Sequence, residues 1–284
     1  MNRLQSIEVE QGWQAQLDLR FDQANNQAGS RTIMQRSYHM GPLRVQRLFY
    51  PEDNLAHIYI LHPPGGVVGG DQLNINLEVS SGAQVLATTP GSGKFYLSKD
   101  HWARLEQRLT VEAGASLEWL PQDNILFAGA RLHTTTTIEV EDDGTFIGWD
   151  VTCLGRPSRD ERFDHGAFYS QLAFYHKQRL LLVESQRVFD EQMLGAAAGL
   201  RDHALLATLL AFPCNEEDLE RVRAQLSVQE TSALIAVTLV DGLLVLRALG
   251  SYSEVVKHKL ISVWQVLRPL LLDRPALHPR IWAT

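Results

Sequence analysis

The chain has 284 residues, 45% hydrophobic and 21% charged, with 20 Gly and 11 Pro. That is enough apolar chain to bury a large core without disulfides or structural metals. A net charge of −7 argues against a generic nucleic-acid binder, which needs clustered Lys and Arg against the phosphates. Cys153 and Cys214 lie far apart, giving neither a disulfide framework nor a paired zinc motif, so a reducing compartment fits.

The opening segment, MNRLQSIEVEQGWQ, lacks the apolar stretch of a signal peptide. Period-two alternation then dominates the first two thirds. Trp13, Ala15, Leu17, Leu19 and Phe21 alternate with Gln14, Gln16, Asp18 and Arg20. Leu73, Ile75, Leu77 and Val79 repeat the pattern, as do Ala103, Leu105, Leu109 and Val111, where Gln107 is the single polar interruption. Such alternation marks strands with one face buried. Further β-rich segments fall at 131–140, 145–152, 166–175, 178–188, 232–240 and 243–249, punctuated by Gly, Pro, Asn and Asp. The apolar runs at 234–240 and 243–249 are broken by Asp241 and too short to span a bilayer. A cytoplasmic location is expected.

Helical signals come late. The Ala- and Leu-rich segment 196–210 reads as helical. Asn215 caps a helix through Glu216, Glu217 and Asp218, with Leu219, Val222 and Leu226 on its inner face. A last helix takes Ser253 as N-cap and carries Val256, Leu260, Val263, Trp264 and Leu267 at helical spacing, ending at Pro269. Core packing is the reading for all these stripes. Gly82-Ala83, Gly114-Ala115 and Gly144-Thr145 recur 32 and then 30 residues apart, each opening an apolar strand. Recurrence at that period points to stacked β coils. The fold class expected is mainly β: a solenoid-like stack of sheets in one domain over residues 1–284, with helical segments near 196–226 and 253–268.

Few motifs carry chemistry. PGSGKFY (90–96) lacks the first Gly of a phosphate loop, Thr88 standing there, and Phe95 replaces the Mg²⁺-binding hydroxyl. HPPGGVVGGD (62–71) is either a long shaped turn or a loop that presents Asp71 to a cavity or partner. The ten histidines form no HxxxH motif and meet no Cys pair, which disfavours a tight metal site. No GxSxG elbow or local Cys–His signature supports nucleophilic catalysis. Carboxylates are more informative. Glu118 in SLEWL is expected to face solvent. Asp150 in FIGWDVTCL and Glu184 after LLLV sit in apolar strands, where an inward acid costs several kcal/mol unless paired or hydrated. They are either paired with arginines such as Arg156 and Arg179 or line a wet acidic passage. A few carboxylates alone would bind a divalent ion weakly enough to release it.

Six blocks in order give a resemblance: GPLRVQRLFYPE (41–52), LHPPGGVVGGD (61–71), TTPGSGKFY (88–96), LEWLPQDNILFAGA (117–130), DVTCLGRP (150–157) and PRIWAT (279–284). Together they resemble the urease accessory protein D family (UreD, also called UreH). That resemblance implies a β-helical, non-catalytic scaffold with no tightly bound cofactor. Its partners would be UreF, through it the GTPase UreG, and apo-urease, with nickel(II) in transit through an internal tunnel. Asp71 and Asp150 stand in matching blocks; Glu184 rests on the strand reasoning alone. These three are the candidate nickel-path residues. Relatives often carry Glu where Asp150 stands, and the shorter acid reaches less far. Trp282 in PRIWAT is either a strap on the core or an aromatic anchor for UreF. Two other readings compete: a β-solenoid hydrolase with an acidic pair, and a partner-binding module without a tunnel.

Overall fold

A computed structural model describes residues 12–26, 29–189, 191–228 and 231–283. In chain order the strands are β1 (Gln14–Asn26), β2 (Gly29–Met40), β3 (Arg44–Val45), β4 (Phe49–Glu52), β5 (Leu55–Leu61), β6 (Gln72–Val79), β7 (Gln84–Thr88) and β8 (Gly93–Phe95). They continue as β9 (Ala103–Val111), β10 (Ser116–Leu120), β11 (Asn124–Leu126), β12 (Arg131–Val140), β13 (Thr145–Arg156), β14 (Glu161–Arg162), β15 (Ala167–His176) and β16 (Arg179–Val188). After the short helix α1 (Glu191–Gly195) come β17 (Leu205–Phe212), α2 (Glu216–Ser227), β18 (Leu234–Val240), β19 (Leu243–Gly250) and α3 (Ser253–Leu272).

The alternating strands pair as the periodicity requires. Among the described residues one sheet runs β16-β15-β12-β9-β6-β1-β2, and a second runs β18-β19-β17-β13-β10-β7-β5-β3. The chain shuttles between them, so β6, β9, β12 and β15 are parallel neighbours in the first sheet, and β5, β7, β10 and β13 in the second. This is the solenoid-like stack that the repeat predicts. Apolar side chains from the facing surfaces, including Phe21, Leu77, Leu109, Leu132 and Phe146, fill the space between the sheets. Trp13 departs from its pattern: it precedes β1 and is exposed.

Register sharpens the repeat and corrects it. Ser116 aligns with both Gln84 and Thr145. The turn residues two positions earlier are Gly82, Gly114 and Asp143, all with positive φ. The third equivalent is therefore Asp143, not Gly144. A short polar side chain tolerates the left-handed region, and the Asp143 carboxylate accepts a hydrogen bond from the Gly114 amide at 2.8 Å, tying adjacent coils.

A second core lies between the outer face of the second sheet and helices α2 and α3. Asn215 caps α2 in a full capping box with Asp218, and Leu219 and Val222 are buried as expected. Two helix boundaries differ. Ser253 is the first helical residue, and extended Tyr252 stands at the cap; the Ser253 hydroxyl donates to Asp123 at 2.9 Å. Pro269 lies inside α3, which runs to Leu272 and stops at the left-handed Asp273; having no N–H, it cannot give the Gln265 carbonyl its helical hydrogen bond. Segment 196–210 is not helical: 205–212 is β17, antiparallel between β13 and β19. Leu210 and Phe212 enter the inter-sheet core, while Leu205, Ala207, Leu209 and Ala211 enter the helix-side core. A strand buried on both faces is continuously apolar, so its periodicity is lost.

Candidate functional site

Four cavities follow one another through the molecule. The first, about 310 Å³, lies beneath the two Gly-rich loops and has exposed Gly65 and Lys94 in its wall. It shares Gln107, Trp119 and Asp150 with a second of about 20 Å³. That one shares Asp150, Leu172 and Thr208 with a third of about 30 Å³. The third shares Glu184 and Thr208 with a fourth of about 440 Å³, whose wall includes exposed Arg201 and Arg247. Each narrow cavity has room for one or two waters. Exposed wall residues thus stand at both ends and an acid at each narrow step.

Asp150 comes from β13 and lines three of the four cavities. Among the described residues no basic side chain pairs with it; Thr152 Oγ1, at 3.5 Å, is a long contact. Burial pushes its carboxyl up to about 6, the Thr152 contact opposes this, and nearby Glu184 adds to it. The expected partner, Arg156, is instead held by Glu161, with Arg156 Nε at 2.9 Å. Glu161 sits on β14, which pairs directly with the end of β13.

Glu184, on β16, bridges the third and fourth cavities. Its carboxylate accepts from Arg247 Nε of β19 at 2.8 Å, with Gln186 at 3.4 Å and Thr208 at 3.5 Å. Arg179, its expected partner, pairs with Asp241 at 2.6 Å. Asp150 and Glu184 are thereby brought together, while Asp71 is not. Asp71 is buried and accepts from the backbone amides of Trp13 (2.8 Å) and Val68 (3.0 Å). It lies outside the walls of these four cavities and fixes the shape of the 62–71 loop beside His62, which is in the first wall. Burial lowers the His62 pKa, and Asp71 works in the opposite direction.

Glu118 does not face solvent. It is 1% exposed, because β10 is buried on both sides. Its oxygens accept from Trp264 Nε1 at 2.7 Å and Arg268 Nε at 2.9 Å. Arg268, fully buried, also donates to Glu52 at 2.8 and 2.9 Å, and His57 completes the group against Glu52 at 2.9 Å. Burial works to raise the Glu52 carboxyl, but the hydrogen bonds from His57 and Arg268 outweigh it and bring it to about 2. This network fastens α3 to the second sheet. Trp282 belongs to the same side: its ring packs on Trp149, Trp264 and His278, and its Nε1 donates to Thr88 at 3.3 Å. It is built as a strap.

Cys153 and Cys214 are free and buried, and burial pushes both thiols up to about 12, far from a reactive thiolate. Among the described residues no group of three or more His, Cys, Asp or Glu is placed to hold a metal ion. The acids that line the cavities are Asp150 and Glu184, which share the third of them. Thr208 and Gln107 were not singled out as site residues from sequence. Gln107 had left a signal, the lone polar residue on a buried strand face; Thr208, in an apolar run, had left none.

No helix among the described residues is long and apolar enough to cross a membrane. The family described as UreD urease accessory protein matches residues 14–283. The urease accessory protein UreD of Alcanivorax borkumensis is 45% identical over 273 residues, covering 96% of this chain and 93% of its own. Those of Pseudomonas putida strain GB-1 and Klebsiella aerogenes are 42% and 40% identical, covering 100% and 97% of this chain and 100% and 98% of their own. A chain matched along its stacked coils and its helical side alike belongs to the UreD urease accessory protein family.

Proposed function

We propose that this protein is a cytoplasmic, non-catalytic scaffold that binds UreF and through it UreG, docks on apo-urease, and passes nickel(II) through the string of cavities. Family membership supports the accessory role, and the observation that carries the passage is Asp150, an acid without a cation partner among the described residues at the junction of three cavities. A buried carboxylate left uncompensated is costly, and a passing divalent ion would compensate it. One or two oxygen ligands, with no His or Cys to complete a strong site, hold such an ion loosely enough to release it. Glu184 forms the next step, its charge moderated by Arg247. Asp71 shapes the mouth and is not a ligand in this scheme.

The acidic-pair hydrolase is disfavoured by size. The cavity shared by Asp150 and Glu184 is about 30 Å³, room for one or two waters and not for a sugar ring. The test of the leading reading is co-expression with UreF, UreG and apo-urease, a pull-down on this chain, and metal analysis of the urease released. Co-purification of the partners with nickel-loaded urease is expected. Recovery of this chain without UreF and urease would contradict it.

A further inference from the structure

The outer face of the first sheet carries a row of side chains that the ion passage does not use. Register aligns Arg104 of β9 with His133 of β12, His133 with Tyr169 of β15, and Tyr169 with Arg187 of β16. Trp102, Arg131 and Phe189 flank the row. The rings of His133 and Tyr169 lie 4.8 Å apart, Arg187 sits 5.0 Å over Tyr169, and Arg131 sits 5.4 Å over Trp102.

The row is rich in donors and poor in acceptors. Arg104 Nη1 donates to His133 Nδ1 at 3.2 Å, which leaves the ring proton on Nε2. Burial and the Arg104 charge lower the His133 pKa, against Glu106, so the ring is neutral and the positive charge is carried by the arginines. His133 Nε2 and Arg131 Nε are buried without a hydrogen-bond partner. Among the described residues Arg104, Arg131 and Arg187 form no salt bridge, although elsewhere on the same face Arg20 pairs with Glu78 and Arg108 with Glu139. Glu106, two residues along β9 from Arg104, acts on His133 electrostatically, and exposed Lys99 and Asp100 stand in the preceding loop. In a chain of net charge −7, three arginines in one row without a salt bridge among the described residues are a segregated charge.

We propose that this row is a docking site for an acidic, extended segment of a partner protein. Four neighbouring strands span roughly 14 Å between Arg104 and Arg187, the reach of about four extended residues. In an extended chain alternate side chains face the same way. An Asp-x-Leu-x-Asp pattern therefore sets one carboxylate on each end arginine and an apolar side chain on the His133 and Tyr169 rings. A nucleic acid fits less well, because its continuous phosphates would meet the acidic remainder of the surface. The proposal is independent of the ion passage.

The test uses the full chain and the blocked pentapeptide Asp-Ala-Leu-Ala-Asp, with Lys-Ala-Leu-Ala-Lys and a pentauridylate as comparisons, read by NMR at the Trp102 indole. Saturable binding of the acidic peptide in the millimolar range or tighter is expected. The Arg104→Glu/Arg187→Glu double variant, altered only at exposed positions, should bind it at least about tenfold more weakly. That variant should instead take up the lysine peptide. No saturable binding, equal binding of both peptides, acidic-peptide binding unchanged by the double reversal, or tighter binding of the pentauridylate would overturn the proposal.

Discussion

Two sets of acids on opposite sides of the second sheet, one fully buried and one half-buried along the cavities, have opposite surroundings. Glu52 and Glu118 face α3 and share a fully buried arginine, Arg268, with Trp264 and His57 taking further lone pairs. Asp150 faces the other sheet, lines cavities, and has no basic partner among the described residues; Glu184 is tied to Arg247 at the rim. Burial acts to raise the carboxyl pKa of Glu52 on one side and of Asp150 on the other. On the helix side the counter-charge wins and Glu52 falls to about 2. On the cavity side burial wins and Asp150 rises to about 6. The sign of the shift, more than the fact of burial, separates an acid whose charge the fold compensates from one whose charge it does not.

The comparison breaks most visibly at Arg268. Replacing it with Met strands two buried carboxylates, and urea denaturation should show a loss of about 3–5 kcal/mol. A loss under about 1 kcal/mol would mean that the network does not fasten α3.

Asp150→Asn should do the reverse. The folded state binds the Asp150 proton more tightly than the unfolded state, so this group's contribution to stability is present at low pH. It is lost as pH rises through the window from 3.8 to about 6. At pH 7.5 the variant should be more stable by about 1–3 kcal/mol, the upper figure applying if cavity water gives no relief. The gain should shrink as pH falls through this window and vanish only below 3.8. A destabilised variant at pH 7.5 would show that Asp150 already has a partner. Smallest is Glu184→Gln. Its partner Arg247 is half exposed, so melting should register at most about 1 kcal/mol.

Much of the frame was legible in the sequence. Strict alternation gave β1, β6 and β9, Asn215 gave the start of α2, and the Gly-Ala recurrence gave the stacked coils. What failed has physical causes. β17 is buried on both faces, so 196–210 carried no period to distinguish strand from helix. The alternation argument turned Glu118 outward because it assumed one wet face, and α3 covers that face. Arginines near in sequence, Arg156 and Arg179, were guessed as partners, whereas the facing sheet supplies Arg247 of β19 from 63 residues away. Asp71 was left open between a shaped turn and a loop presenting an acid, and stood among the candidate nickel-path residues; that its carboxylate accepts from the Trp13 and Val68 amides is a tertiary fact that no local pattern records.

The central claim is that Asp150 handles a passing cation and does not hold the fold together. Its most direct test is nickel per urease active site after maturation with Asp150→Asn in place of the parent chain, with the amount of assembled complex measured alongside. Intact assembly with a clear fall in nickel content is predicted. Equal nickel at equal assembly would contradict it.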